Sequence, residues 1–390
     1  MISFEAPPQV VPRHYAFVTR MAIELFERGA LPDVASIEVE PEWGYVTRIV
    51  YRGGETRMTY GNDIGLNSGA ASDVVSDKAF TKHFLQRSGF ATPAGAAFLL
   101  PWWAQLLGGA RADAAIRTTA DAQRYVRETL GLPVYVKPVA GSQGKGVCRC
   151  ERLEEVPAAI AELDVHRAKV ALIEEAVDLP DYRLVMLHGE MISAYRRVPL
   201  TVVGDGVATV LALMTAVDAA FRVAGRDTRI AFDDARIVRS LDRRGLRLDS
   251  ILAASQRLAL RDISNLSAGG TAEDVTDQVA TRWRTMGRDL AAAFGLRFCG
   301  VDLACADIAD GGAVYSILEL NAAPGLDHYA SVGAYQERVV RELYAKVLNA
   351  APRDRTAGAS APTAPPPPAA PPARARAAAP RRASPGSGGR

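Results

Sequence analysis

The chain has 390 residues, 48% of them hydrophobic and 23% charged, an ordinary globular balance long enough for two or three sub-domains around real cores. The formal net charge is +2, but residues 351–390 hold seven arginines against one acid, so that stretch carries about +6 and residues 1–350 about −4. The basic balance therefore belongs to the C-terminal stretch and gives no reason to expect a nucleic-acid face on the body. Four cysteines in so long a chain exclude a disulfide framework, and Cys148 and Cys150 lack two nearby partners for a metal site, so packing roles are expected for them. No stretch approaches the ~20 apolar residues of a membrane span. The opening MISFEAPPQV lacks a basic region followed by an apolar run, so a cytoplasmic protein is expected.

In chain order, Tyr15–Arg28 has helical spacing, and Ile37–Glu40 and Val46–Tyr51 read as strands followed by a turn at Arg52-Gly53-Gly54-Glu55. Ser76–Ser88 predicts one helix, capped by Ser76 and stopped by Gly89. Ala120–Thr129 is another helix. Val134–Lys137 is a strand ending at Pro138, Val147–Cys150 a strand, Leu153–Leu163 a helix and Val170–Glu174 a strand. Tyr182–His188 and Glu190–Arg197 form a hairpin about Gly189. The apolar run Val207–Phe221, interrupted by Asp218, reads as a buried or amphipathic helix, and Val275–Phe294 as one long helix. Val301–Cys305 and Val314–Leu320 are strands flanking the turn Asp310-Gly311-Gly312. Helices mixed with antiparallel pairs argue for an α+β fold rather than a doubly wound parallel sheet. Residues 350–390 hold ten of the 23 prolines and no aromatic, a composition that predicts disorder: an inert tail or a weak arm for an anionic partner or localisation.

Three stretches carry chemistry. The strand Val134-Tyr-Val-Lys-Pro138 runs into Ala140-Gly-Ser-Gln-Gly-Lys-Gly146. A lysine at the end of a buried strand needs an anionic partner, and the glycines let backbone N–H groups close around phosphate oxygens. The stretch is not a P-loop, because no Lys-Ser or Lys-Thr pair closes it. A plain strand–hairpin–strand would use the same glycines. Next, Glu319 and Asn321 stand two apart on an apolar strand, so their oxygens face one way; with Asp302 on the strand Gly300–Leu303 they make a hard-cation ligand set suited to Mg²⁺. Finally, Ala171-Leu-Ile-Glu174-Glu175-Ala-Val177, followed by Asp181, is an apolar strand leading to a short acidic linker able to frame a purine and its ribose.

Lysine strand, glycine loop, acidic hinge, Asp strand and Glu-x-Asn strand, in that order over residues 72–345, resemble the ATP-grasp superfamily. The likeness is greatest to the ATP-grasp domain of cyanophycin synthetases and bifunctional glutathione synthetases. It rests on Ser76–Lys82, Val202–Val210, Leu260–Thr271 with Asp274–Asp277, Cys299–Leu303 and Glu319–Leu326. The resemblance implies two α+β sub-domains clamping ATP after a small α/β N-terminal part. The expected boundaries are 1–77 for that part, 78–349 for the ATP-grasp domain with its lid near 115–176, and 350–390 for the tail. It further implies that Lys78 and Lys137 hold phosphates, with Gly141, Ser142, Gly144 and Gly146 over the β- and γ-phosphates. Glu174, Glu175 and Val177 would frame adenine, and Asp181 the ribose. Asp302, Glu319 and Asn321 would bind two Mg²⁺, with Mn²⁺ as a substitute. Arg261 and the backbone of Asn265–Gly270 would hold an acyl phosphate and the later oxyanion.

The implied activity is an ADP-forming carbon–nitrogen ligase joining a small-molecule carboxylate to an amine, on an amino acid or short peptide, in a protein that could be a homo-oligomer. The alternatives are a phosphotransferase of the same superfamily and a nucleotide-binding regulator without turnover. Two departures stand out. Neither the Mur-ligase-like domain of cyanophycin synthetases nor the leading ligase domain of the bifunctional enzymes is recognisable, so a free-standing ligase is expected. Position 327 is Asp, where the cyanophycin enzymes tend to carry a basic residue, which would favour a cationic or amino group if that position, or the neighbouring His328, faces substrate.

Overall fold

The computed structural model describes residues 4–107, 118–141, 144–223 and 229–352. Ser142 and the Pro/Ala/Arg-rich residues 353–390 lie outside the described residues, as does the expectation of disorder attached to the latter.

The N-terminal part is one helix on a three-stranded antiparallel sheet: α1 (Phe17–Glu27), β1 (Val34–Val39), β2 (Val46–Tyr51) and β3 (Thr56–Tyr60). Val18, Met21, Ala22 and Leu25 recur at three- and four-residue spacing, so α1 buries one stripe against Ile37, Ile49 and Tyr51. Two short helices follow, α2 (Gly69–Ser76) and α3 (Lys78–Arg87). The helix expected over Ser76–Ser88 is α3, which starts at Lys78 with Asp77 as its cap, while Ser76 closes the preceding α2. Asp77 is extended, and its carboxylate accepts from the N–H groups of Ala79 (2.8 Å) and Phe80 (3.0 Å), a stronger cap than Ser76, whose hydroxyl donates back to Ser72 O.

The next unit comprises β4 (Gly95–Leu99), α4 (Pro101–Leu107), α5 (Thr119–Tyr125), β5 (Val134–Pro138), β6 (Cys148–Cys150), α6 (Glu155–Val165) and β7 (Val170–Glu175). Its sheet runs β4-β7-β5-β6, antiparallel throughout, and takes its first strand from upstream of the expected boundary at 115. Side chains alternate across a strand. Val134 and Val136, with Ala171 and Ile173, therefore enter a core against Val156, Ile160 and Leu163 of α6, while Lys137 and Glu174 keep to the opposite face.

The remaining unit holds β8 (Asp181–Leu187), β9 (Glu190–Val198), β10 (Thr201–Val203), α7 (Val210–Val223), α8 (Ala235–Asp242), β11 (Arg257–Ala259), β12 (Thr271–Asp274), α9 (Thr281–Ala293), β13 (Phe298–Cys305), β14 (Tyr315–Asn321), α10 (Asp327–Ala330) and α11 (Ala334–Asn349). Its five-stranded antiparallel sheet has the order β12-β9-β8-β13-β14. Leu184 and Met186 pack towards Trp283 and Leu290 of α9; Val185 and Leu187 pack on the other face with Tyr329, α11 and the N-terminal sheet. The helix expected over 275–294 begins only at Thr281, because Thr271–Asp274 pairs with β9 and the Asp274 carboxylate accepts from Thr276 N at 2.9 Å. Asp218 lies buried in α7, where it accepts from Ile230 N at 3.0 Å. Helix α11 is tied to the N-terminal sheet: Tyr51 Oη donates to Leu348 O (2.9 Å), and Arg57 donates to Val347 O and Ala350 O (both 2.7 Å). Among the described residues no helix is long and apolar enough to cross a membrane.

Candidate active site

Residues of both sheets line a cleft of about 230 Å³, among them Lys78, Tyr135, Lys137, Gly141, Gly144, Glu174, Glu175, Val177, Asp181, Asp302, Glu319 and Asn321. All the sequence-expected phosphate, hinge and metal positions among the described residues, apart from Gly146, are thus on one cavity wall or another. Gly146 sits just behind it, where a Cβ would meet Leu163 Cδ2 at 2.6 Å.

The lysines are organised by Glu174. Its Oε1 lies 2.7 Å from Lys82 Nζ of α3, and its other oxygen pairs with Lys137 Nζ of β5. Burial pushes the Glu174 carboxyl up, but the charges and hydrogen bonds of Lys137 and Lys82 outweigh it and hold the group below the usual carboxylate range. Burial lowers the Lys82 ammonium. Lys78, at the start of α3, donates to Gly141 O at 3.0 Å and lies 3.2 Å from Glu319 Oε1, so it joins the glycine turn to β14. Gly144 has φ +66°, a left-handed conformation that favours glycine, and a Cβ there would meet Ile263 Cδ1 at 2.2 Å and Asn265 Nδ2 at 2.8 Å. Glu175 is turned aside: its Oε1 accepts from Ala94 N at 2.8 Å.

Asp302 stands directly opposite Glu319 in the β13–β14 register and opposite Arg183 in β8. Its carboxylate is forked by Arg183, with Nη2 at 2.9 Å, and Arg197 Nη2 lies 3.0 Å away on the other side. The same Arg197 nitrogen reaches Asp181 Oδ1 at 2.7 Å. Burial raises the Asp302 carboxyl, and the two guanidinium groups more than reverse that. For Asp181 burial wins, helped by the neighbouring Asp302, and its carboxyl lies above the usual range despite Arg197. Asn321 Nδ2 approaches Asp302 Oδ2 at 3.5 Å. Asp302, Glu319 and Asn321 therefore do come together, as two carboxylates and an amide. Among the described residues no three His, Cys, Asp or Glu side chains form a metal cluster of their own.

Arg261 is placed differently. It is buried, its Nη2 lies 2.7 Å from Asp234 Oδ2, and it faces an adjoining cavity of about 1050 Å³ that shares Tyr135, Val177, Leu179 and Asp262 with the cleft. The N–H groups of Ala268 and Gly270 donate to Asn265 O (3.0 and 3.2 Å) and that of Gly269 to Leu266 O (3.1 Å), so this turn spends those donors on itself. Asp327 and His328 do not line the cleft. Sequence reasoning missed Lys82, Arg183, Arg197 and Tyr135, whose hydroxyl donates to Asp262 O at 3.0 Å and is pushed up to about 12 by burial. The signal for the arginines was available: Asp181 and Arg183 alternate with apolar neighbours on one strand, and a buried Asp302 requires cations.

Two antiparallel α+β units with this lysine, glycine turn and acidic strand set between them make an ATP-grasp fold. A crystal structure of a bifunctional glutathione synthetase from Pasteurella multocida superposes with a TM-score of 0.52 at 21% identity, covering 85% of this chain and 44% of that one. In sequence the chain resembles cyanophycin synthetase of Crocosphaera subtropica, 30% identical over 269 residues, which is 65% of this chain and 28% of the relative. It is also similar to the glutathione biosynthesis bifunctional protein GshAB of Streptococcus mutans, 28% identical over 274 residues, 67% of this chain and 33% of that protein. The chain thus matches about a third or less of the length of these relatives. No family model matches it.

Proposed function

We propose that the chain is an ADP-forming ligase that activates a carboxylate with ATP and passes the acyl group to an amine, on an amino acid or short peptide. The observation that carries this reading is the shared cleft, which Lys78, Lys137, Asp302, Glu319 and Asn321 all line. A carboxylate does not react with an amine at neutral pH, because its carbonyl carbon is shielded by full negative charge. Transfer of the γ-phosphoryl group to a carboxylate oxygen, with ADP leaving, yields an acyl phosphate; the amine then adds to the carbonyl carbon and phosphate departs. Lys78 and Lys137 would hold the phosphates, fixed by Glu319 and Glu174. Val177 and Leu179 offer an apolar face to the base. The half-buried Asp181 would take the ribose only by sharing Arg197.

The donor set fits Mg²⁺, two carboxylates and one amide oxygen with phosphate oxygens completing the shell. Glu319 and Asn321 would hold the ion, with Asp302 divided between it and the arginines. When bound, the ion neutralises developing phosphate charge. No side chain need act as an unusual general base, since prearranged charge carries most of such catalysis.

The test is phosphate release by purified protein against a panel of amino acids and dipeptides. Release that requires both a carboxylate and an amine supports the ligase; turnover with one acceptor and a stable phosphoester, or nucleotide binding with no turnover, would exclude it.

A further inference from the structure

The N-terminal sheet carries an open aromatic groove that shares no lining residue with the cleft. Trp43, Tyr45 and Tyr60 are 63%, 48% and 66% exposed and, with His14 and Glu42, bound a space of about 720 Å³. Clustered large aromatics exposed at this level call for a partner. They are also held in place. The Glu40 carboxylate accepts from Glu42 N (2.7 Å) and Trp43 N (3.0 Å), fixing the loop. Tyr45 stands edge-on to Tyr60, centroids 5.1 Å apart, over Gly61, where a Cβ would meet its ring at 2.9 Å. An ordered, exposed aromatic groove beside the Glu42 carboxylate suits an extended proline-rich segment with arginines. Such a segment presents apolar ridges and has little entropy left to lose. Guanidinium groups additionally favour aromatic faces and Glu42.

The chain supplies such a segment. Residues 362–376 read Pro-Thr-Ala-Pro-Pro-Pro-Pro-Ala-Ala-Pro-Pro-Ala-Arg-Ala-Arg. Residues 353–390 carry seven Arg and one Asp, about +6, against about −4 for residues 1–352. The described chain also leaves from the right place. Its last helix ends on this same sheet, where Arg57 and Tyr51 hold the carbonyls of Val347, Leu348 and Ala350. The groove lies at the other end of those strands, at Val46 and Tyr60, roughly 10–17 Å away at ~3.3 Å per residue. Twelve residues separate Pro352 from Pro365, enough to span up to about 40 Å.

We infer that the groove formed by Trp43, Tyr45 and Tyr60 is a docking site for the proline- and arginine-rich segment 362–376 of the same chain.

The test uses the full chain and the rate of tryptic cleavage after Arg374 and Arg376, followed by intact mass. Proteolysis tracks the undocked fraction. A tether of this length gives an effective concentration near 1 mM, so a weak groove of Kd about 0.1 mM should slow cleavage about tenfold. Two variants are compared with the natural sequence: Trp43→Ala with Tyr60→Ala, and Pro365, Pro366, Pro367 and Pro368 all replaced by Ser. Both should lose the tail about tenfold faster, by similar factors, and protection in the natural chain should not depend on protein concentration. The second variant leaves the folded body untouched, so it decides the matter even if the first is unstable. Equal cleavage rates in all three chains would overturn the proposal, and protection that grows with concentration would assign the groove to a second copy's tail instead.

Discussion

Lys82 Nζ and Glu174 Oε1 lie 2.7 Å apart at the base of the cleft, and the same carboxylate holds Lys137. Only Lys137 faces the cleft; Lys82 acts through Glu174, fixing the rotamer of the carboxylate that in turn fixes Lys137. Removing Glu174 strands two cations in low dielectric. Glu174→Ala should therefore cost about 3–5 kcal/mol of stability, the range for breaking a buried pair from one side. Urea unfolding measures it; a loss below about 1 kcal/mol would mean that water reaches both lysines.

Removing Lys82 separates positioning from stability. Lys82→Met leaves Glu174 with one partner, so Lys137 should be held more tightly by Glu174 and less available to a phosphate. The expected result is weaker ATP binding with the nucleotide site otherwise intact, read by calorimetry with ATP and magnesium. Lys82→Arg should restore part of the affinity. Equal affinity in the natural chain and in Lys82→Met would assign Lys82 a purely structural part.

The same carboxylate sets an acid limit. Glu174 has a folded-state pKa below its ordinary value of 4.5, so its contribution to stability is fully present above that value and disappears as pH falls through the folded value. Asp302, also depressed, acts in the same direction. Asp181, raised, has the opposite sign: its contribution is present at low pH and lost as pH rises through its folded value. Stability curves from pH 7 to 3 should therefore show the advantage of the natural chain over Glu174→Gln shrinking below about pH 4.5. At neutral pH, Asp181→Asn should be tolerated better than Asp302→Asn. A gap between the natural chain and Glu174→Gln that stays constant across this range would contradict the sign assigned to Glu174.

How much of this was legible beforehand depends on which residues one asks about. The Lys137 strand could be placed because its positions alternate with period two, the Asp302 strand because it is an apolar run holding one acid, and the Glu319/Asn321 strand because an apolar stretch ends in two polar residues two apart; the structure puts all three on one cleft. The cap of α3 was not legible, because Ser76 and Asp77 are both good caps and only the packed backbone, with α2 ending at Ser76, chooses between them. The upstream boundary of the first clamp unit was missed for a similar reason: β4, Gly-Ala-Ala-Phe-Leu, has little strand character of its own and is a strand because β7 pairs with it. Arg261 was expected beside the reacting groups on resemblance alone, whereas here Asp234 draws it to the adjoining cavity. Strand periodicity carries the cleft-facing positions; ion pairs between distant segments are written in no local pattern.

Gly144 offers the most direct test of the glycine turn. Its φ of +66° is uncomfortable for any L residue, and a methyl group would press on Ile263 and Asn265. The nearest atom, Ile263 Cδ1, is the end of a flexible side chain, so space can be made for it; the backbone conformation cannot be relieved in the same way. Gly144→Ala should therefore cost about 1 kcal/mol of stability, well short of unfolding. Its larger effect should be on turnover, through displacement of the backbone that lines the cleft. Removing the side-chain clash alone separates these contributions: Ile263→Ala in the Gly144→Ala background should recover little, because strain at residue 144 persists. Measured as steady-state phosphate release beside thermal unfolding, the single change should lower kcat about tenfold or more, the cost of losing roughly one well-placed transition-state interaction. Full recovery in the double variant would place the whole effect in the Ile263 contact and remove the argument from backbone conformation.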